Sequence, residues 1–449
     1  MTDVDVAVVG AGVAGLTAAG ELQRAGLDVR VFEAGQQVGG RMASARHDGW
    51  TIDTGAEQIS PSGYRATWEL LRRLGVSDEQ VPRIGRPLAV WRDGAAHPGV
   101  ADPRGLVRGA GLEPRARLDL LRFQAWARRR QQSFDGDQPE RSPLGAATVA
   151  EFSRRYHPDL HDYLFQPVAG SFFGWDTARS SAAVLVSLLL SVGSAGSWRT
   201  YRDGMDTLAR LLAADLDVRT GTPVQEVVAD GGTARLRIGD GTVTARCALL
   251  CVPAPVAAQL HANPLRQEAE FLDACTFAPA LKVSCLLDAP LSPEPGSRPY
   301  VLLTPRAEDE QLSAIIVDHD KNPHRVPAGR GLLTVMADAA TIPDLLQLPD
   351  DEVVRRVTGA VPRYLPDFPA VNRQNFVHRH EHGLPEATPA ALRQRPRFVR
   401  RCVGPVDFAG DWVLLRPASE GAVRSGALAA SRALSRLRSG TAALARAGG

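Results

Sequence analysis

Near the start of this 449-residue chain, the stretch Gly10-Ala11-Gly12-Val13-Ala14-Gly15 narrows the possible folds more than any other feature. It follows a short apolar run, Val4 to Val9, and leads into residues whose Leu16, Ala19 and Leu22 recur at helical spacing. A second strand, Asp28 to Glu33, closes a strand-turn-helix-strand unit of about 30 residues. The three glycines serve different physical ends. Gly10 permits the tight turn, Gly12 lets the backbone approach a pyrophosphate, and Gly15 lets helix and strand pack closely. The helix N-terminus then presents unpaired N–H groups and the positive end of its dipole to phosphate. Glu33, 23 residues after Gly10, is placed to accept hydrogen bonds from ribose hydroxyls. The expectation is a dinucleotide site formed by Gly10, Gly12, Ala14, Gly15 and Glu33.

The length suggests two domains, each with its own core. With 52 basic against 50 acidic residues, no overall field recruits nucleic acid or an anionic membrane. All but two of the basic residues are arginine; the exceptions are Lys282, inside the apolar run Ala278 to Leu287, and Lys321, which reads as part of a polar loop. The Arg-rich stretch from Arg117 to Arg130 reads as an amphipathic helix with a solvated face. The longest apolar run, Ala182 to Val192, is well short of the roughly 20 residues of a membrane-spanning helix and reads as a buried one. The N-terminus runs directly into a strand, leaving no room for a signal peptide. Five cysteines without a C-x-x-C pair read as reduced core residues, so a cytoplasmic location is expected.

Residues 65–215 read as mainly helical. Strand character returns after 216, where Ala-Asp-Gly-Gly and Gly-Asp-Gly mark hairpin turns between alternating runs. A mixed stretch follows from about 260 to 395, then a final helix and a small-residue tail, 441–449, expected to be flexible.

The segments Glu33 to Ser44 and Asp53 to Ser60, taken with Phe408 to Trp412 and Glu420 to Ala430, closely resemble the flavin-dependent superfamily of amine oxidases, protoporphyrinogen oxidases and carotenoid-type desaturases. The resemblance implies an α/β fold: a Rossmann-like FAD-binding domain of discontinuous segments (1–80, 200–262 and 395–440) plus an α+β substrate-binding domain with mixed sheet and helices (81–199 and 263–394). It further implies that Gly40 and Arg41 reach the pyrophosphate and that Gly55, Ala56 and Glu57 lie beside the isoalloxazine ring. Val224 would pair its backbone with adenine, Gly410 and Asp411 would meet the ribityl chain, and Gly421 and Ala422 would set a helix N-terminus against the pyrimidine. No cysteine stands where covalently flavinylated relatives carry theirs, so the FAD is expected to be non-covalent. No second glycine fingerprint follows a strand, which leaves O2 or a quinone as the electron acceptor.

Strand alternation puts Ala280, Lys282, Ser284 and Leu286 on one face. In the amine oxidase branch a lysine in such a strand holds a water at flavin N5, a role that suits a compact ammonium better than a guanidinium. His378, His380 and His382 also alternate; His380 and His382 are candidates for a base or orienting donor in the substrate pocket, and no metal is expected. The amine oxidases present an aromatic ring where this chain has Ala418, and the sequence from Gly410 to Gly426 reads more like the desaturase branch. Phe173 and Trp175 are candidate substrate contacts, with plain core packing as the alternative. The substrate is expected to be a largely apolar small organic molecule that loses a hydride from a C–N or C–C bond. Protoporphyrinogen-type oxidation, desaturation, a non-redox flavin isomerase or cyclase, and a flavin-free binding module stay open, as does a homodimer.

Overall fold

The computed structural model describes residues 2–100 and 109–447, with side chains to residue 439. The apolar run Val4–Val9 is a strand buried along nearly its whole length, as a parallel strand covered on both faces must be. It pairs in parallel with Val29–Phe32 on one side and Gly241–Leu250 on the other. Asp217–Arg219 extends the sheet beyond Val29–Phe32, and Val406–Phe408 lies on the C-terminal half of Gly241–Leu250, both again parallel. The N-terminal half of that long strand carries an antiparallel pair, Thr233–Ile238 and Val224–Asp230. The expected hairpin turns fall where the glycines stand: Gly231 and Gly232 have φ of 53° and 91°, a region that residues with a Cβ avoid.

The helix Val13–Arg24 follows the glycine turn, and the C-terminal helix Ser419–Ala447 packs against it. Gly426 allows that approach, because a Cβ there would collide with the Ala14 carbonyl oxygen. The C-terminal helix continues through 441–447, where alanine and arginine propagate a helix well; residues 448–449 of the expected tail lie outside the described residues.

A second sheet has the order Asn372–Pro385, Phe277–Leu287, Gly331–Ala337, Leu312–Val317, Val301–Leu303, Leu88–Arg92, Ala95–Pro98. Its neighbours are antiparallel except Val301–Leu303 with Leu88–Arg92. The last two strands correct the helical reading of 65–215. Asp93 and Gly94, with φ of 51° and 77°, form a two-residue hairpin turn of the hand that matches strand twist. Elsewhere in the described part of that stretch helices alternate with loops; they include the Arg-rich helix Pro114–Arg129 and the apolar helix Ala182–Ser191, whose first seven residues are buried. Among the described residues no helix is long and apolar enough to cross a membrane.

The strand Phe277–Leu287 divides the second sheet's surroundings as its alternation requires. Leu281, Val283, Cys285 and Leu287 enter an apolar core with Val353 and Val357 of the helix Asp350–Gly359. Leu286 on the opposite face packs with Trp50 and Ile52 of a small hairpin, Ser44–His47 and Trp50–Asp53. Trp50 fixes the hairpin to the sheet by donating its indole N–H to the Gly331 carbonyl at 3.1 Å. The chain leaving that hairpin, Thr54 to Glu57, therefore runs beneath Lys282.

Candidate active site

Gly10 has φ of 99°, and a Cβ there would lie 2.8 Å from the Cys251 carbonyl oxygen. At Gly15 a Cβ would collide with the Gly10 carbonyl oxygen. Gly12 differs: a Cβ would meet nothing within 4 Å, so its bareness serves no packing contact and leaves the helix N-terminus open. The Glu33 carboxylate closes one side, accepting from the Ala11 N–H at 2.7 Å and the Gly35 N–H at 2.8 Å. Gly39 donates to the Ala11 carbonyl at 2.9 Å, which lays Gly40 and Arg41 alongside the turn. Arg41 forms a two-pronged pair with Asp411 at 2.7 and 2.9 Å and donates to the Gly383 carbonyl at 3.0 Å. Ala56 donates to the Arg41 carbonyl at 2.8 Å, and Gly410 to Ser425 Oγ at 2.9 Å. Thr222, just before the Val224 strand, donates to the Glu33 carbonyl at 2.8 Å. Gly421 and Ala422 lie in the first turn of the C-terminal helix.

Two buried oxygens here, Gln58 Oε1 and Ser419 Oγ, have no hydrogen-bond partner among the described residues. Orphaned buried polar atoms are costly, and with the open turn at Gly12 they fit a site built for a polar dinucleotide. Gly12 has φ of −74° and ψ of 173°, extended backbone that any residue adopts. Gly12→Val is therefore expected to fold and melt as the parent does while losing about tenfold or more in dinucleotide affinity, read by flavin titration of the apoprotein.

Lys282 is only 3% exposed at its side chain; its ammonium donates to the Gly55 carbonyl at 2.5 Å and pairs with Glu57 Oε1. Lys321 corrects the reading as a polar loop. It ends the short buried helix Asp318–Lys321, its side chain is 0% exposed, and it pairs with Glu57 Oε2 and, at 2.6 Å, with Asp318. Arg325 pairs with Asp53, which also accepts from Ser44 Oγ at 2.8 Å and the Met205 N–H at 2.9 Å. Three carboxylates, Asp53, Glu57 and Asp318, thus face three cations, Lys282, Lys321 and Arg325. Buried charge has to balance in this way, since an unpaired ion costs several kcal/mol. Burial pushes the Glu57 carboxyl up, but the ammonium groups of Lys282 and Lys321 outweigh it and hold the carboxyl below the usual range. Burial raises Asp318, with Lys321 only partly opposing it.

His378 is the cross-strand neighbour of Lys282, with its Nε2 3.1 Å from Ser284 Oγ. Burial, helped by Lys282 and His380, pushes its pKa down to about 4. His380 donates its Nε2–H to the Thr54 carbonyl at 2.8 Å, and burial lowers its pKa too. His382 lies apart from the lysine, edge-on to Phe277 at 5.9 Å between ring centroids. His378 lies directly across from Lys282, and His380 one pair further along is also near its charge; the pairing of two strands so far apart in the chain is not written in either one alone. Because an unfolded histidine takes up a proton near pH 6.5 and folded His378 only near 4, stability is expected to fall as pH drops through that window. His378→Gln should give a flatter dependence in thermal melts from pH 7 to 4.

Trp175 is buried and donates to the Pro385 carbonyl at 3.0 Å, while Phe173 is half-buried against it. Ala418 is partly exposed beside the helix start. All five cysteines are free; Cys402 is exposed, which corrects the expectation of a core position for it. Among the described residues no group of three or more His, Cys, Asp or Glu is arranged to hold a metal.

An α/β sheet with an open glycine turn at one strand end, abutting a second, mixed sheet, defines the class. The chain belongs to the family of flavin containing amine oxidoreductases, which it matches over residues 13–434. It is 31% identical over 241 residues to a Mycobacterium tuberculosis chain named as a flavin-containing monoamine oxidase, AofH, covering 52% of this chain and 46% of that one. It is 32% identical over 168 residues to protoporphyrinogen oxidase 2 of Arabidopsis thaliana, covering 37% of this chain and 32% of that one. The matches thus span about half and a third of those relatives' lengths. A solved structure of putrescine oxidase bound to putrescine has the same two-domain fold, with a TM-score of 0.80 and 20% identity over 96% of this chain and 99% of that one.

Proposed function

We infer that the chain is an FAD-dependent oxidase that takes a hydride from a C–N bond of a largely apolar small amine and passes the electrons to O2. The observation that carries this reading is the buried ammonium of Lys282, held at the Gly55 carbonyl on the segment Thr54 to Glu57. FAD would be held without a covalent bond by segments within 1–80, 200–262 and 395–440. Glu33 would take the ribose, Arg41 the pyrophosphate, Val224 the adenine, Asp411 the ribityl chain, and Gly421 and Ala422 the pyrimidine edge. Bound there, a flavin supplies the hydride acceptor. The chain's own residues then position and stabilise: Lys282 offers a fixed positive charge and a donor, His380 ties down Thr54, and the second sheet keeps water from the reacting face. The substrate pocket would include Phe173 and Ala418, with Trp175 behind them, and the enzyme would work in the cytoplasm.

Ala418 favours a second reading. With no aromatic ring at that position, a C–C bond could be the one oxidised, as in a desaturase or a protoporphyrinogen oxidase, with a quinone as acceptor. The visible spectrum of the purified protein, followed through anaerobic reduction with dithionite and exposure to air, tests both. Flavin bands with fast reoxidation and hydrogen peroxide support the oxidase, and slow reoxidation that a quinone accelerates supports the desaturase. A colourless protein that takes up no FAD overturns both.

A further inference from the structure

The two lysines of this arginine-rich chain meet on a single carboxylate. Lys282 takes Glu57 Oε1 from the strand Phe277–Leu287, and Lys321 takes Oε2 from the helix Asp318–Lys321. An ammonium is a compact point charge with adjustable donors, so two of them can each take one oxygen of a buried carboxylate that also lies near Asp53 and Asp318.

We propose that Lys321 is a positioning residue that acts on Lys282 through Glu57: by holding one carboxylate oxygen it fixes the other, which holds the Lys282 ammonium at the Gly55 carbonyl. The proposal rests on the flavin reading for its consequence, but the coupling between the lysines does not. The groups facing them are Asp53 and Glu57 on the segment after the small hairpin, Asp318 on the helix of Lys321, and Arg325 just beyond it. Tyr300 lies at the edge of the neighbouring strand, and His378 and His380 on the strand Asn372–Pro385. With Lys321 neutralised, three carboxylates face two cations, and Asp318, already raised by burial, is the member that takes up a proton. The charge deficit, and so the disturbance at Lys282, then grows as pH rises and Asp318 ionises.

Incorporation of [13Cε]lysine gives a spectrum with two lysine signals, one per residue. In the parent protein both signals are expected to be displaced from that of a solvated lysine, because both ammonium groups are buried on the two oxygens of Glu57. In Lys321→Met/Asp318→Asn, which removes one cation and one anion, the remaining signal should be displaced from its parental position. In the flavin-loaded protein, Lys321→Met should slow reoxidation by O2 about tenfold, with the loss deepening as pH rises and the substrate KM unchanged; the double variant should show a flat pH profile. A Lys282 signal at its parental position in the double variant overturns the proposal. So does Lys321→Met whose reoxidation per bound flavin keeps the parental pH profile. If neither variant folds, Glu57→Gln tests the link in their place: displacement of both lysine signals upholds it, and displacement of one alone overturns it. A protein that binds no flavin defeats the functional reading alone, since the lysine signals still decide the coupling.

Discussion

Lys282→Met is expected to slow reoxidation of the flavin-loaded protein by about 10²-fold to 10³-fold, the range seen when one preorganised charge-stabilising donor is removed from a closed site. Methionine matches the lysine stem in length and flexibility, so the strand Phe277–Leu287 keeps its packing and flavin stays bound. What is lost is the positive charge at the Gly55 carbonyl. Glu57 retains Lys321, so its carboxylate is not left alone. Lys282→Arg should restore little, because a planar fork cannot take the place of a point charge in a space shaped by Gly55 and Glu57. Stopped-flow mixing of the dithionite-reduced protein with oxygenated buffer measures this directly. A parental rate in Lys282→Met would reduce Lys282 to a partner of Glu57 with no part in the chemistry.

The largest loss of stability is expected at Arg325. Its side chain is 1% exposed, and besides Asp53 it donates to Thr200 Oγ1 at 2.8 Å and the Tyr201 carbonyl at 2.6 Å. Arg325→Met leaves the buried Asp53 carboxylate with only the Lys321 ammonium, 3.6 Å away, as a cation, and removing one partner of such a pair costs about 3–5 kcal/mol. Arg325→Met/Asp53→Asn should recover a large part of that, because the amide no longer needs a counter-charge yet still accepts from Ser44 and Met205. Urea unfolding of parent, single and double variants gives the comparison. A single variant as stable as the double would mean that the pair contributes nothing.

These two residues also mark what the sequence discloses and what it hides. Lys282 is legible because a strand's period of two is local: alternation over Ala278 to Leu287 already separates the face carrying Lys282 from the face carrying Leu281 and Val283. The glycine turn is legible for the same reason, since each glycine answers to atoms within one strand-turn-helix unit. Lys321 and Arg325 are not. Asp318-His319-Asp320-Lys321 has the composition of a solvated turn, and its burial depends on Glu57, 264 residues away. No local pattern carries a pairing over that distance. The hairpin at Asp93-Gly94 is a different kind of miss, for its turn residues were present. The alternation around them is weak, because Leu88, Ala89 and Val90 are all buried, so the run lacks the polar half of a strand pattern.

The burial of both lysines leaves the folded surface without a single lysine amine. Reagents that acylate or cross-link amines will find the α-amino group and little else, however many copies of the chain stand close together. Modification at Lys282 or Lys321 then requires the cluster around Glu57 to open, so the rate at which an amine reagent marks those two residues becomes a clock for that opening. If the substrate is a primary amine on a CH2 carbon, loss of the hydride and a proton leaves an imine that water hydrolyses to an aldehyde and ammonia, and a coat of arginine in place of lysine gives that aldehyde no exposed side-chain amine with which to condense.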